Sequence, residues 1–272
     1  MSAEIKSAYL VPGSPLPLLR PDAAALRPVV EGLDRARRSL EKAAPDTLIV
    51  YSTSWMAVVD QMWLTRSRMQ GRFVDHTWHE FGHIDWTLEV DVPVAESAIA
   101  ATGDFGVRSR GCDYDQFPID AGTIVLSKAL NADAARPLVV TTNNLYHSWE
   151  TTKRLGAAAV EAAARHGRSV SVVGIGGLSG SLHREGVDFD HDSIASPEDD
   201  AANRCLADLV TEADAERVEA YIPEYAAVAR ADMGMKHLAF VLGALGGKYS
   251  GADVLGYGPL CGSGGAVVEF TP

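Results

Sequence analysis

The sequence has 272 residues, of which 47% are hydrophobic, and it carries a formal net charge of −12. This length and apolar share are typical of one large globular α/β domain. The acidic excess argues against nucleic acid and against an anionic membrane surface as partners, because binding to either needs a cluster of basic residues.

The sequence also lacks the signals of secretion and of metal-cysteine chemistry. Its start, MSAEIKSAYLVPGS, has no charged segment followed by the long apolar run of a signal peptide. The apolar stretch at residues 238–245 is too short to cross a bilayer. Cys112, Cys205 and Cys261 form no C-x-x-C pair, which argues against a zinc ribbon or a disulfide framework. We therefore expect a cytoplasmic protein.

In the first half of the chain, short apolar runs predict strands and longer amphipathic runs predict helices. In order, the predicted elements are a strand over residues 8–11, a helix capped by Asp22, a strand over 48–51, a helix over 55–63, a long loop over 66–85, a strand over 86–92 and a short helix after Pro93. Ser52-Thr53-Ser54 connects the second strand to the helix that is predicted to follow it.

In the second half, the apolar run at residues 170–175 is followed directly by glycines, the arrangement in which α/β enzymes often place their chemistry. The predicted elements are a strand over 137–141, a helix from Ser148 to residue 166, the strand over 170–175, an acidic polar stretch over 193–214, helices ending near residue 245, a glycine-dense loop over 256–265 and a strand over 266–270. We predict a single α/β domain over residues 1–272. Its architecture is a three-layer sandwich, with a mostly parallel central sheet and helices on both faces.

His79-Glu80-Phe81-Gly82-His83 matches the H-E-x-x-H pattern of zinc proteases. That chemistry needs both histidines on one face of a helix, with the glutamate activating a bound water. Gly82 lies inside the motif and the following residues alternate like a strand, so we interpret the segment as a structural loop. Trp78 and Trp86 beside it are either interface anchors or ordinary core residues.

Gly177-Leu178-Ser179-Gly180-Ser181 nearly forms the G-x-S-x-G nucleophile elbow, which also needs a histidine such as His237. We interpret it as a chance match. His183 with Arg184 and Glu185 is interpreted as a solvated loop. Asn143 and Asn144 at a strand end either face the crevice or cap the helix beginning near Ser148. Both roles stay open.

Five stretches in the same order carry a resemblance to a known family: LVPGSPLP, LIVYSTSWM, NNLYHSWETT, VVGIGGLSGSLH and GYGPLCGSGGAVVEF. They are similar to the class III extradiol dioxygenases of the protocatechuate 4,5-dioxygenase superfamily. Within it, NNLYHSWETT and the last stretch resemble the 2-aminophenol 1,6-dioxygenases. The resemblance spans nearly the whole chain. It implies an α/β fold and a place in the ring-opening chemistry of aromatic compounds.

The resemblance also implies where an iron site would lie. Catalytic members of the family bind Fe(II) through two histidines and a glutamate, and a further histidine acts as acid and base. This chain has Gly13, Ser54 and Gly180 at the three histidine positions. The glutamate is expected between residues 224 and 237, where Glu224 is the one candidate. We therefore expect no catalytic, cofactor-binding or metal-binding residues in this chain, and treat Gly13, Ser54 and Gly180 as vestigial pocket positions.

The resemblance implies a non-catalytic, α-type subunit of a 2-aminophenol 1,6-dioxygenase-like enzyme. Its partner would be a homologous β subunit that carries Fe(II) and opens the ring of the aromatic substrate, so the chain is part of an oxidoreductase hetero-oligomer. Three alternatives stay open: an active dioxygenase with ligands drawn from His147, His183, Glu224 or His237, a hydrolase that uses Ser179, and a free-standing binding module.

Overall fold

The computed structural model describes residues 3–183 and 186–272, and within these residues it contains ten strands and eight α-helices. The strands are β1 (Ile5–Val11), β2 (Thr47–Ala57), β3 (Gln61–Leu64), β4 (Arg68–Phe73), β5 (Ile84–Glu89), β6 (Ser109–Cys112), β7 (Leu138–Asn144), β8 (Val170–Ile175), β9 (Gly251–Leu260) and β10 (Ser263–Thr271). The helices are α1 (Leu16–Leu19), α2 (Arg27–Ala43), α3 (Val92–Thr102), α4 (Ala121–Ala129), α5 (Trp149–Arg165), α6 (Pro197–Thr211), α7 (Ala215–Ala229) and α8 (Lys236–Ala244).

Eight of the strands form one sheet in the order β6-β3-β7-β2-β8-β1-β10-β9. The four central strands β7, β2, β8 and β1 are parallel to one another, while β10 runs antiparallel to β1 and β9 antiparallel to β10. β4 and β5 form a separate hairpin. Helices cover both faces of the central strands, so the predicted three-layer α/β sandwich is confirmed.

The central strands are buried on both faces, which is why they read as continuous apolar runs rather than as alternating ones. Every residue of β7 and β8 is buried. One face of the sheet packs against α3, α5 and α8, and the other packs against α2 and α4. The carboxyl ends of β1, β2 and β8 therefore meet at one edge of the sheet, where parallel strands usually present a binding crevice.

The helix predicted over residues 55–63 is wrong, because β2 continues to Ala57 and β3 begins at Gln61. β2 stays paired with β7 across an irregularity: Ser52 lies opposite Thr142, and Met56 lies opposite Asn143. Three residues, 53–55, are therefore extruded from the ladder in a bulge-like step. This step turns Thr53 and Ser54 out of the sheet.

The long loop predicted over residues 66–85 is also wrong, since it contains β4 and the start of β5. The two strands pair antiparallel from Arg68 opposite Glu89 to Phe73 opposite Ile84. The strand predicted over 86–92 thus begins two residues earlier and ends at Glu89. Trp86 lies across Gly71, where an added Cβ would come within 2.8 Å of the indole. Trp86 is half-buried in this hairpin.

The loop predicted over residues 256–265 is wrong, because this segment is the closed end of a long hairpin formed by β9 and β10. Its glycines serve close packing: a Cβ on Gly256 would collide with the Pro28 carbonyl oxygen and approach Gly32 of α2. The predicted cap Asp22 is wrong as well, because α2 begins at Arg27 after a 3₁₀ turn and has Leu26 at its N-cap.

In the acidic stretch 193–214, residues 197–211 form α6. None of the helices in the described part of the chain has the length and apolar character that crossing a bilayer requires.

Candidate functional site: a cleft at the carboxyl ends of the central strands

A cleft of about 400 Å³ opens where β1, β2 and β8 end. Its walls come from the turn after β1, the extruded step of β2, the glycine loop after β8, the β9–β10 turn and the short segment before α8. The described lining residues are Pro12, Gly13, Ser14, Pro15, Thr53, Ser54, Met56, Trp78, Gly176, Gly177, Ser179, Gly180, Leu182, Asp232, Met233, Leu260, Cys261 and Ser263.

The three positions singled out in the sequence, Gly13, Ser54 and Gly180, all line this one cleft. Gly13 and Ser54 are direct neighbours, because the Ser54 hydroxyl lies 3.4 Å from the place that a Cβ on Gly13 would take. The same Cβ would lie 3.2 Å from the Ile175 side chain, a tight but adjustable contact. The fold thus brings these two distant positions side by side.

Gly180 differs from Gly13, because the space beside its Cα is closed by backbone. A Cβ at this position would come closer than 3.0 Å to the Arg230 carbonyl oxygen, nearer than real Cβ atoms approach. The Gly180 N–H also donates a 3.0 Å hydrogen bond to the Ala229 carbonyl. A histidine therefore does not fit at position 180 unless the end of α7 moves.

Asp232 is a site residue that sequence reasoning missed. Its Oδ2 accepts hydrogen bonds from the Gly177 N–H at 2.8 Å and from the Thr53 hydroxyl at 3.0 Å. Met233, Gly234 and Met235 follow it with φ of 44°, 63° and 57°, a left-handed run that turns the segment toward the cleft. Left-handed backbone is costly for residues other than glycine, so such a run persists only where its surroundings impose it.

A signal for Asp232 was present in the sequence, since the residue lies inside the 224–237 window where a carboxylate ligand was expected. The family pattern has a glutamate there, so it does not point to an aspartate. Glu224, the candidate considered, is exposed on α7 and does not line the cleft.

The residues in the cleft do not fit Fe(II). A two-histidine, one-carboxylate site needs two imidazoles, and the described lining contains none. Burial, together with Asp192, raises the pKa of the Cys261 thiol to about 12, so this side chain is not a thiolate at neutral pH. Among residues 3–183 and 186–272, no three His, Cys, Asp or Glu side chains are grouped closely enough to hold a metal ion.

His237 lies next to the cleft, behind the wall that Gly176 forms. A Cβ on Gly176 would lie 2.5 Å from its Nδ1, and the ring is almost fully buried. Burial lowers the pKa of His237 to about 4, against a smaller opposing effect of Asp232. The imidazole is therefore neutral near pH 7 and makes part of the floor beneath Gly176.

The other two proposed histidine ligands lie apart from each other. His183 donates its backbone N–H to the Cys261 carbonyl, and its Nε2 lies 2.9 Å from the Ser193 carbonyl. His147 follows β7, where burial and the nearby Lys236 ammonium lower its pKa. Neither side chain lines the cleft. Arg184 and Glu185, which were grouped with His183 in the sequence, lie outside the described residues.

Ser179 has the contacts of a structural serine. Only 1% of the residue is exposed, and its Oγ accepts hydrogen bonds from Asn203 Nδ2 at 3.0 Å and from the Gly264 N–H at 2.9 Å. A serine nucleophile instead needs an imidazole that accepts its proton. In the described structure Ser179 tethers the loop after β8 to α6 and β10.

Asn143 and Asn144 neither line the cleft nor cap α5. Asn143 Oδ1 accepts from the Tyr51 hydroxyl at 2.9 Å, inside the core. Asn144 Oδ1 accepts from the Tyr146 N–H at 3.0 Å. The cap of α5 is Ser148, whose Oγ accepts from the Thr151 N–H at 3.1 Å, so the predicted start of this helix is confirmed.

The H-E-x-x-H segment is not an α-helix. His79–Phe81 form a 3₁₀ turn, and Gly82 follows with φ of 99°. This geometry agrees with the interpretation of the segment as a loop. Trp78 just before the turn lines the cleft and packs edge-on against Phe189 at a ring-centroid distance of 6.3 Å. Its indole is half-buried within the chain.

Large exposed apolar side chains follow the ends of β2 and β7, and three more, Met56, Leu182 and Met233, line the cleft. This apolar rim consists of Met56, Val58, Val59, Leu145, Tyr146, Leu182 and Met233, all exposed. The ends of β2 and β7 adjoin, because the Leu145 N–H donates to the Ala57 carbonyl at 2.9 Å. Val59 is 72% and Tyr146 79% exposed, and a grouped apolar surface of this kind usually marks an interaction site.

An α/β sandwich with a cleft at the carboxyl ends of its parallel strands is an enzyme-type scaffold, and here the cleft holds a carboxylate but no imidazole among its described residues. Comparison with known families identifies the scaffold. A family model described as the catalytic LigB subunit of aromatic ring-opening dioxygenase matches residues 8–268. The chain belongs to this family, so the predicted class III extradiol dioxygenase relationship is confirmed.

Individual relatives refine this relationship. The chain is 41% identical over 268 residues to a 2-aminophenol 1,6-dioxygenase alpha subunit of Pseudomonas sp., covering 98% of this chain and 99% of that one. It is 26% identical over 248 residues to a 2-aminophenol 1,6-dioxygenase beta subunit of Pseudomonas sp., covering 87% of this chain and 81% of that one. A crystal structure of an uncharacterized Escherichia coli K12 protein superimposes with a TM-score of 0.68 at 13% identity, covering 98% of this chain and 99% of that one, which supports the fold alone.

Proposed function

We propose that the chain is the non-catalytic, α-type subunit of a 2-aminophenol 1,6-dioxygenase-like enzyme that opens the ring of o-aminophenols. The near full-length similarity to an alpha subunit, well above that to a beta subunit, supports this assignment. The observation that carries it is the composition of the cleft. Gly13 and Ser54 lie next to each other in the described lining, where two imidazoles would have to stand to hold iron.

In this proposal Gly13, Ser54 and Gly180 are vestigial pocket positions, and the chain supplies no catalytic or metal-binding residue. Glycine offers no ligand atom, and a neutral serine hydroxyl binds Fe(II) poorly. The backbone around Gly180 adds support, because the Arg230 carbonyl oxygen occupies the space that a side chain there would need.

The Fe(II) and the aromatic substrate would then belong to a homologous β subunit, with which this chain forms a hetero-oligomer. The role of this chain is to stabilise that partner and to complete the wall of its active site. The apolar rim supports such an association, because exposed apolar side chains are costly in water and are enriched at the centres of interfaces. We further propose that residues 1–272 form one domain and that the assembly is cytoplasmic, as the sequence predicts.

The proposal is tested by expressing the full chain alone and together with a homologous β subunit that has the histidine motifs. Each preparation is analysed for bound iron, for oligomeric state by size-exclusion chromatography, and for oxygen consumption with 2-aminophenol under air. We expect the chain alone to contain no stoichiometric iron and to consume no oxygen. We expect the pair to co-purify and to be active. Iron binding and turnover by the chain alone would overturn the proposal.

A matched pair of variants tests the apolar rim. Val59→Glu places a charge in the rim, whereas Val254→Glu places the same charge on β9, at the far edge of the sheet. We expect Val59→Glu to reduce co-purification with the β subunit at least about tenfold, because a charge buried at an interface without a partner costs more than 1.4 kcal/mol. Val254→Glu should leave association unchanged. Equal effects of the two substitutions would refute the assignment of the rim.

A further inference from the structure

The cleft retains the features of a small-molecule site although its residues do not fit iron. Asp232 presents a carboxylate there, fixed through one oxygen by Gly177 and Thr53. Asp232 lines the cleft, and its other oxygen, Oδ1, accepts no hydrogen bond from the described residues. A carboxylate oxygen in this position is an acceptor for the N–H or O–H of a ligand.

The remaining lining is suited to a flat aromatic ring. Gly13, Gly176 and Gly177 contribute no side chain and leave one wall made of backbone, while Met56 and Trp78 supply apolar surface. The volume of about 400 Å³ exceeds what one substituted ring requires, since an apolar cavity of about 150 Å³ already binds benzene. Ligand sites usually combine such apolar walls with a few placed polar groups.

We propose that this cleft binds, without converting, a small aromatic molecule that carries adjacent amino and hydroxyl groups. The ring lies between the glycine wall and the side chains of Met56 and Trp78, and its N–H or O–H donates to Asp232 Oδ1. The choice of the o-aminophenol class rests on the proposed function, whereas the donor-bearing aromatic ring follows from the cleft itself. The chain would then have a second, non-reactive site for the class of compound that its partner cleaves.

The experiment is isothermal titration calorimetry of the full chain with 2-aminophenol under argon, which prevents oxidation of the probe. Anisole, an aromatic of similar size with no N–H or O–H, is the comparison probe. We expect one molecule of 2-aminophenol to bind per chain and to be recovered unchanged. Anisole should bind at least tenfold more weakly, because it cannot donate to the carboxylate.

Two variants locate the site by independent means. Asp232→Asn keeps an oxygen acceptor for Gly177 and Thr53 but removes the charge, and it should weaken binding of 2-aminophenol at least tenfold. Ser54→Phe leaves the carboxylate intact and fills the cleft from an exposed position, so it should abolish binding. Asp253→Asn, on the exposed part of β9, is the charge-matched control and should bind like the unmodified chain. Circular dichroism and thermal melting confirm that each variant folds.

Absence of saturable binding up to millimolar concentration would overturn the inference, as would binding that neither Asp232→Asn nor Ser54→Phe changes. These results are separate from a failure of the proposed function. A chain that associates with the β subunit but does not bind 2-aminophenol refutes this inference alone. A chain that binds and cleaves the compound by itself refutes the proposed function.

Discussion

The packing around the glycine loop after β8 predicts different effects of alanine at Gly177 and at Gly180 on the free energy of unfolding. A Cβ added at Gly180 would come closer than 3.0 Å to the Arg230 carbonyl oxygen. A Cβ added at Gly177 would meet its nearest neighbour, the Gly264 carbonyl oxygen, at 3.6 Å. Neither glycine has a positive φ, so alanine can adopt the local backbone conformation at both positions, and the two positions differ only in the space around the added Cβ. We therefore expect Gly180→Ala to destabilise the fold and Gly177→Ala to leave it nearly unchanged.

The expected free energy follows from what must move. Ordinary van der Waals contact at 3.4–4 Å is violated at position 180 by more than 0.4 Å, and the obstructing atom is backbone rather than a flexible side chain. Overpacking of this kind costs about 1–3 kcal/mol. Separation of the loop from α7 also weakens the hydrogen bond from Gly180 to Ala229, worth about 1 kcal/mol. Gly180→Ala should thus lower the free energy of unfolding by about 2–4 kcal/mol.

At Gly177 an alanine makes only ordinary contacts, so the change should stay within about 0.5 kcal/mol, or stabilise by up to ~1 kcal/mol through the unfolded chain. Urea unfolding of both variants, followed by circular dichroism and tryptophan fluorescence, gives the comparison at equal m-values. Equal midpoints for Gly180→Ala, Gly177→Ala and the unmodified chain would refute the reasoning. Position 180 would then be open, and an imidazole could stand there.

Three further predictions concern the cleft and its floor. Ser179→Ala leaves two buried donors without an acceptor, so it should lower the free energy of unfolding by about 2–4 kcal/mol in urea unfolding. The buried control Ser127→Ala removes one bond to a helix carbonyl and should lower it by less than about 1.5 kcal/mol. Equal losses would contradict the structural role of Ser179. Burial lowers the pKa of His237 from 6.5 to about 4, so between pH 6.5 and pH 4 the unfolded chain binds more protons than the folded chain. The free energy of unfolding should therefore be highest above pH 6.5 and fall by roughly 3 kcal/mol toward pH 4. His237→Leu should reduce this pH dependence, as measured by thermal melting at a series of pH values. Finally, Gly13→His combined with Ser54→His places two imidazoles in the cleft that Asp232 also lines. The double variant should bind Co(II) stoichiometrically, roughly tenfold or more tightly than either single variant, as measured by visible absorption. No gain in the double variant would argue that these two positions do not face a common point.

The central strands could be predicted from the sequence because burial on both faces leaves an unambiguous apolar run. β8 shows this directly, since all six of its residues are buried and its predicted bounds match the structure. The segment 55–63 was mistaken for a helix because its aromatic and apolar residues fit more than one period. What decides its conformation is pairing with β7 across the extruded step at 53–55, a tertiary contact that local propensity does not encode.

The prediction of a loop over residues 256–265 was wrong for a related reason. Glycine in sequence suggests a turn, but at Gly256 it serves the close approach of β9 to α2, which is visible only once the two elements are packed. The site was partly accessible through the family resemblance, which implies Gly13, Ser54 and Gly180 as pocket positions, and the fold brings the three residues to one cleft. Asp232 was missed because a glutamate was the residue expected between positions 224 and 237, and because its bonds to Gly177 and Thr53 form only in the folded chain.

The carbonyl beside Gly180 has a consequence for engineering this chain. A single substitution does not install a larger side chain at position 180, because the end of α7 fills the space that its atoms would need. Such a change has to be combined with a second one that moves residue 230. The loop after β8 and the end of α7 therefore have to be redesigned together.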